Sequence, residues 1–258
     1  MNLKTALVCG SSQGIGKSTA MALASSGLNI ILLARDEIAL KNVLNELPNN
    51  GSQKHHYLVA DFSNTSNLKT VISAFIAKEN IIHVLVNNTG GPKGGPIIDA
   101  EIEEFINTFN QHLICNHILV QAVVPGMKKA GYGRIINVIS TSVKQPLPNL
   151  GVSNTVRGAV ANWSKTLATE LAPFGITVNN VLPGATNTAR LNSIASTKAE
   201  KTGETVDYIL SEMAKESPMQ RIAEPEEVAA AIAFLASSSA GYINGINLPV
   251  DGGRTKSL

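Results

Sequence analysis

The sequence predicts an α/β protein: a doubly wound parallel sheet of about seven strands, covered by helices on both faces in three layers. Three observations predict it. Strand-sized apolar runs alternate with longer helical stretches along most of the 258 residues, the order of repeated strand–helix units. The runs are continuously apolar, which suits strands buried on both faces. A glycine cluster follows the first run, at the carboxyl end of a strand, where sheets of this kind bind ligands.

Taken in order, the strands are expected at Thr5–Cys9, Asn29–Ala34, His56–Ala60, Val84–Asn87, Arg134–Ile139, Ile176–Leu182 and Ile246–Val250. Met1–Lys4 leads directly into the first, with no signal-peptide h-region. Helices are expected at Ile15–Ser26, Glu37–Leu47, Ser66–Lys78, Ile102–Met127, Asn154–Ala172 and Pro225–Ser237. The last has Pro225 in its first turn, followed by Glu226 and Glu227, which favour a helix N-terminus. Thr186–Ser217 breaks the rhythm. It is polar and helical in tone, and an insertion of this size is expected to act as a lid or substrate loop. With no repeat or low-complexity tract, residues 1–258 read as one domain.

Composition excludes several classes. Hydrophobic content of 44% and charged content of 16% are those of a globular domain. A net charge of +2, with Lys and Arg scattered, gives no nucleic-acid or membrane footprint. No apolar run reaches membrane-spanning length, and the expected location is cytoplasmic. Cys9 and Cys115 lie outside any metal spacing and read as buried free thiols. His55, His56, His83, His112 and His117 form no metal spacing either, so no metal site is expected.

The glycine cluster is Gly10-Ser11-Ser12-Gln13-Gly14-Ile15-Gly16. Glycines here allow a tight turn, let backbone amides approach a pyrophosphate and let the helix pack close to the sheet. Placed between the first strand and first helix, the cluster predicts a Rossmann-type dinucleotide site. The second strand ends Ala34-Arg35 where an NAD site carries an acidic residue. Arg35 can pair with a 2′-phosphate, so NADP is expected over NAD, although Asp36 follows directly.

These features resemble the short-chain dehydrogenase/reductase family in its single-domain form, and 3-oxoacyl-carrier-protein reductases in general outline. Gly10, Gly14 and Gly16 stand at its glycine positions. Asp61, with Phe62 after it, matches the aspartate beside the adenine ring. Asn87-Asn88-Thr89-Gly90 is similar to the family's Asn-Asn-Ala-Gly. Gly133-Arg134-Ile135-Ile136-Asn137 leads to the position of its catalytic serine, Ser140. Pro183-Gly184 and Thr188 match its nicotinamide-binding turn, and Pro225–Val228 and Asp251-Gly252-Gly253 its last helix and C-terminal turn. The resemblance implies a homotetramer or homodimer formed through Ile102–Met127, Asn154–Ala172 and the last strand.

The family's chemistry uses Asn, Ser, Tyr and Lys. Here Ser140 is kept, the tyrosine position is Ser153 and the lysine position is Arg157. The asparagine position falls on His112 by a gapless count; a shift of two puts Asn110 there. Serine is a far weaker acid than tyrosine, and arginine stays protonated and relays no proton, but at the position of the ribose-binding lysine Arg157 is expected still to hold the nicotinamide ribose hydroxyls and lend positive charge. Losing a positioned general acid costs about 10²- to 10⁴-fold in rate. Substitutes are His112, Tyr208 of the lid, or a water held by Ser140-Thr141-Ser142 and Ser153/Thr155; the bland alternatives are a helix histidine satisfied by a carbonyl and a lid tyrosine that packs or caps. Gly90–Pro96 is a glycine-rich loop beside the pocket in which Lys93 meets an acidic substrate group or simply sits in a turn. Two functions follow. One is an NADP-dependent oxidoreductase acting on a small or acyl-linked carbonyl/alcohol pair. The other is a non-catalytic NADP-binding sensor or silent partner.

Overall fold

The computed structural model describes residues 3–78 and 80–257. Met1 and Asn2, read above as the lead-in to the first strand, lie outside them. Seven parallel strands form one sheet: β1 (Thr5–Cys9), β2 (Asn29–Ala34), β3 (His56–Val59), β4 (Val84–Asn87), β5 (Gly133–Val138), β6 (Ile176–Pro183) and β7 (Asn247–Val250), in the order β3-β2-β1-β4-β5-β6-β7. Chain direction along the sheet reverses at the β1/β4 junction, the topological switch point.

Nine α-helices flank the sheet among the described residues: α1 (Gly14–Ser25), α2 (Glu37–Glu46), α3 (Thr65–Ile76), α4 (Ile102–Phe109), α5 (Cys115–Ala130), α6 (Gly151–Leu171), α7 (Ala189–Thr202), α8 (Val206–Lys215) and α9 (Pro225–Ala236). Strand side chains alternate between the two faces. Ala6, Val8, Ile30 and Leu32 pack with Leu23 of α1, Leu40 of α2 and Ile232 of α9. Leu7, Cys9, Ile31 and Leu33 pack with Leu68 of α3, Leu119 of α5 and Leu171 of α6. Two apolar faces favour largely apolar strands; the buried polar exceptions include Asn137, Thr177, Asn179 and Asn180.

Two expectations need correction. His56 to Val59 and Ile246 to Val250 are not buried on both faces: β3 and β7 are the two edge strands, His56 and Val59 are exposed, and residues 246–250 are half-buried. The stretch Ile102–Met127 is not one regular helix. A π-helical turn, Asn110–Ile114, separates α4 from α5, and such turns are frequent at functional sites. The insertion Thr186–Ser217 folds as α7 and α8, which share a small core of Ala195, Ala199 and Ile209. No helix among the described residues is long and apolar enough to cross a membrane. Cys9 and Cys115 are free and buried.

Asparagines run across four adjacent strands in register. Asn87 pairs with Asn137, Asn137 with Asn180, and Asn180 with Asn247. Their side chains connect: Asn87 Nδ2 donates to Asn137 Oδ1 (2.8 Å), Asn137 Nδ2 to Asn180 Oδ1 (3.0 Å), and Asn180 Nδ2 to Asn247 Oδ1 (2.8 Å). Asn137 Nδ2 also donates to Ser164 Oγ of α6 at 2.9 Å. Replacing Asn137, which is fully buried, leaves Asn87 Nδ2 and Asn180 Oδ1 without these partners. Asn137→Ala is expected to lower the unfolding free energy by about 2–4 kcal/mol, the cost of two buried unpaired groups. Denaturant titration checks this; a loss below about 0.5 kcal/mol, the range of a surface substitution, would mean the ladder is not structural.

Candidate active site

A cleft of about 580 Å³ opens along the carboxyl ends of β1, β2, β4, β5 and β6. It runs from Arg35 and Asp61 at one end to Ser140, Ser153 and Arg157 at the other. Ser140, Ser153, Arg157 and the expected cofactor residues line this cleft, Gly16 excepted; His112, Thr141, Ser142, Thr155, Lys93 and Tyr208 do not. Gly16 lies behind it: a Cβ there would overlap Gly10 O, so only glycine lets α1 start this close to β1. Gly10 itself has φ +58°, and Asn88 Nδ2 donates to Cys9 O (3.2 Å) and Gly10 O (3.4 Å), tying the end of β4 to the turn.

Helix α1 begins with Gln13 at the N-cap, with no side-chain cap and no acidic residue in its first turn. Its first amides therefore face the cleft unclaimed by a protein carboxylate, the arrangement that receives a pyrophosphate. At the far end of β2, Arg35 lines the cleft, whereas Asp36 is the N-cap of α2 and its Oδ1 accepts from Ala39 N at 3.0 Å. Asp61 Oδ1 accepts from Ser63 N at 2.9 Å; this bond, with a smaller contribution from Arg35, holds its carboxyl below the ordinary range. Cys115 Sγ donates to Phe62 O at 3.3 Å, and burial pushes its pKa up to about 12, leaving an unreactive thiol. These features fit a dinucleotide with a 2′-phosphate, and the uncapped α1 is the test that a merely tight turn would not need to pass.

At the other end, Gly184 N donates to Val250 O at 2.9 Å, and Asp251 braces the neighbouring turn by accepting from Gly253 N (3.0 Å) and Thr255 N (2.8 Å). Thr188 caps α7 through Leu191 N at 3.3 Å. Arg157, 8% exposed, donates from Nε to Ser153 Oγ at 3.3 Å and from Nη1 to Val138 O at 3.1 Å. Burial, with the charge of Arg190, lowers its pKa to about 10, so it stays cationic at neutral pH. Ser140 Oγ accepts from Ser142 N at 3.1 Å.

His112 lies behind the wall, with Gln111 lining the cleft in its place. Its Nδ1 shares a 2.6 Å hydrogen bond with Thr89 Oγ1, while Nε2 is buried with no hydrogen-bond partner among the described residues. Burial, and then the charge of Arg157, lowers its pKa to about 3. Asn110, the alternative by a shifted count, lies in a separate outer groove with Phe105, Phe109 and Val156. Tyr208 is exposed on α8 and does not line the cleft. Lys93 is exposed and does not line the cleft, and Pro92 O of the same loop accepts from Arg190 Nη2. Arg190 was not foreseen in the sequence. The signal was a cation in the first turn of a helix, where the macrodipole disfavours one.

The family model described as Enoyl-(Acyl carrier protein) reductase matches residues 10–255. The NADPH-dependent reductase BacG of Bacillus subtilis (strain 168) is 30% identical over 259 residues, with 100% of each chain covered. The 3-oxoacyl-[acyl-carrier-protein] reductase FabG of Vibrio cholerae is 33% identical, covering 98% of each. The structure of L-sorbose reductase from Gluconobacter frateurii, complexed with NADPH and L-sorbose, superposes with a TM-score of 0.93 at 31% identity, covering 100% of this chain and 98% of that one. The chain belongs to the short-chain dehydrogenase/reductase family.

A histidine with a folded pKa of about 3 binds its proton later than the unfolded chain does, near pH ~6.5. As the pH falls through that window the unfolded state takes up the proton first, so stability declines. NMR of the His112 ring is expected to show a neutral imidazole from pH ~8 down to ~5. A midpoint near ~6.5 in the folded protein would contradict the burial described.

Proposed function

We propose that this protein is an NADP-dependent reductase of a carbonyl/alcohol pair in which Ser153 and Arg157 stand where the family carries tyrosine and lysine. The observation that carries the reading is the convergence of Ser140, Ser153 and a buried, cationic Arg157 at one end of a nucleotide-sized cleft. NADP over NAD is supported by Arg35 in the cleft, by the commitment of Asp36 to a helix cap, and by the NADPH dependence named for BacG.

Bound NADPH would supply a hydride to the substrate's carbonyl carbon. The chain's own residues hold the rest of the reaction. Ser140 and Ser153 hold the substrate oxygen, and Arg157 stabilises the negative charge that develops there, at no cost in reorganisation because its guanidinium is already fixed by Ser153 and Val138 O. Neither serine releases a proton unaided at neutral pH. Water entering at the open mouth supplies it. His112, neutral and hydrogen-bonded to Thr89, positions the wall beside Arg157 and does not act as the acid. α7 and α8 form the lid over this end. A homo-oligomeric assembly through α4 and α6 is supported by Ile102, Ile106 and Phe109, which are 71%, 53% and 40% exposed.

Fluorescence titration tests the cofactor assignment. NADPH is expected to bind at least tenfold more tightly than NADH, and Arg35→Ala to remove most of that preference by deleting the phosphate's charged partner, worth about 1.5–3 kcal/mol. Equal affinity of the wild type for both would contradict it. In steady-state assays Arg157→Ala is expected to lower kcat by about 10²- to 10³-fold, the size of losing one preorganised charge stabiliser. A loss below threefold would remove Arg157 from the chemistry.

A further inference from the structure

Arg157 and Arg190 converge on one point. A Cβ added to Gly91 would lie 3.7 Å from Arg157 Nη2 and 3.6 Å from Arg190 Nη2. The two guanidinium groups therefore face one slot across a glycine that leaves it empty of side chain. Arg157 uses Nε and Nη1 on Ser153 and Val138, and its Nη2 has no hydrogen-bond partner among the described residues. Neither arginine forms an ion pair among them. Asp61, the one carboxylate lining the cleft among the described residues, lies at its opposite end, beside Phe62 and near Arg35. Two like charges held this close, one of them nine-tenths buried, are costly unless an anion lies between them.

The pyrophosphate of a dinucleotide already has its own partners in the uncapped amides of α1. Arg190 donates instead to Pro92 O, beside Gly91. We propose that the slot binds the carboxylate of the substrate, and that the substrate class is a small 2-oxo acid reduced to its 2-hydroxy acid. This rests on the reductase reading above. The same guanidinium touches Ser153 through Nε and offers Nη2 to the slot, so the anionic group sits within a bond or two of the oxygen that Ser153 holds. A carboxylate on the carbon next to the carbonyl meets that spacing. An acyl-carrier substrate presents a neutral thioester there and leaves both charges uncompensated. In the reaction the carbonyl carbon gains a hydride, its oxygen gains a proton from water, and NADPH leaves as NADP+.

The test compares small straight-chain 2-oxo acids with their methyl esters, following NADPH oxidation. The acids are expected to show at least tenfold higher kcat/KM than the esters. Arg190→Gln is expected to reduce that acid-over-ester ratio at least tenfold while shifting the NADPH Kd less than threefold. Gly91→Asp, which places a protein carboxylate in the slot, is expected to raise KM for the acids. Esters used as well as acids would overturn the proposal and leave the reductase reading standing. A parallel loss of NADPH affinity in Arg190→Gln would also overturn it, assigning that arginine to the pyrophosphate. Should neither series turn over, the same pairs are titrated calorimetrically into the NADPH complex, and equal binding of acid and ester overturns it. Failure of the wild type to bind NADPH at all would overturn both readings together.

Discussion

The register of the sheet is the constraint from which the site follows. Four asparagines, one on each of β4, β5, β6 and β7, meet side chain to side chain only if every strand is in its observed register. A slip of one residue turns every side chain of a strand to the other face and breaks each of these bonds at once. Just beyond this ladder lie the segments that build the cleft: Asn88-Thr89-Gly90 after β4, Ser140 after β5 and Pro183-Gly184 at the end of β6. Ser164 extends the ladder to α6, the helix that carries Ser153 and Arg157. The polar network thus relates the cleft-lining groups on a helix to those on three strand ends, which apolar packing would tolerate in several registers.

Charge is the second organising feature. At one end of the cleft Arg35 lies near Asp61, and the arrangement there is close to neutral. At the other end Arg157 and Arg190 face each other without a protein counter-charge. His112, the one histidine within reach, is kept neutral by burial and by Arg157 itself. The proposed chemistry therefore relies on a fixed positive pole and on hydroxyls that hold oxygen. Lysine could not serve in the same way. Its single ammonium cannot reach Ser153, Val138 O and the slot over Gly91 together, whereas the planar guanidinium presents separate N–H groups to each.

Much of the fold was legible because parallel strands under two helical layers are mostly apolar, and each of the seven runs read from that pattern became a strand, although edge strands β3 and β7 are not buried on both faces. The glycine turn was legible because close approach of α1 to β1 has only one sterically acceptable residue at position 16. Three things were not. The π turn at Asn110–Ile114 was missed because its one extra residue, a phase shift of about 100°, falls where polar Asn110, Gln111 and His112 leave few apolar positions to register it. The neutrality of His112 depends on burial and on Arg157, which is 45 positions away in sequence (157 against 112) and comes near only through the β5–α6 crossover. Arg190 faces Arg157 only because α7 folds back over Gly91, and nothing in the polar stretch Thr186–Ser217 fixes that direction.

The pH dependence of kcat/KM with saturating NADPH bears most directly on a site that works by a fixed cation and a solvent proton. With His112 held neutral by burial down to a pKa of about 3 and Arg157 cationic at neutral pH, the profile is expected to be flat from pH ~6 to ~9. A limb centred near pH ~6.5, lost in His112→Gln, would contradict this and make the histidine the proton donor.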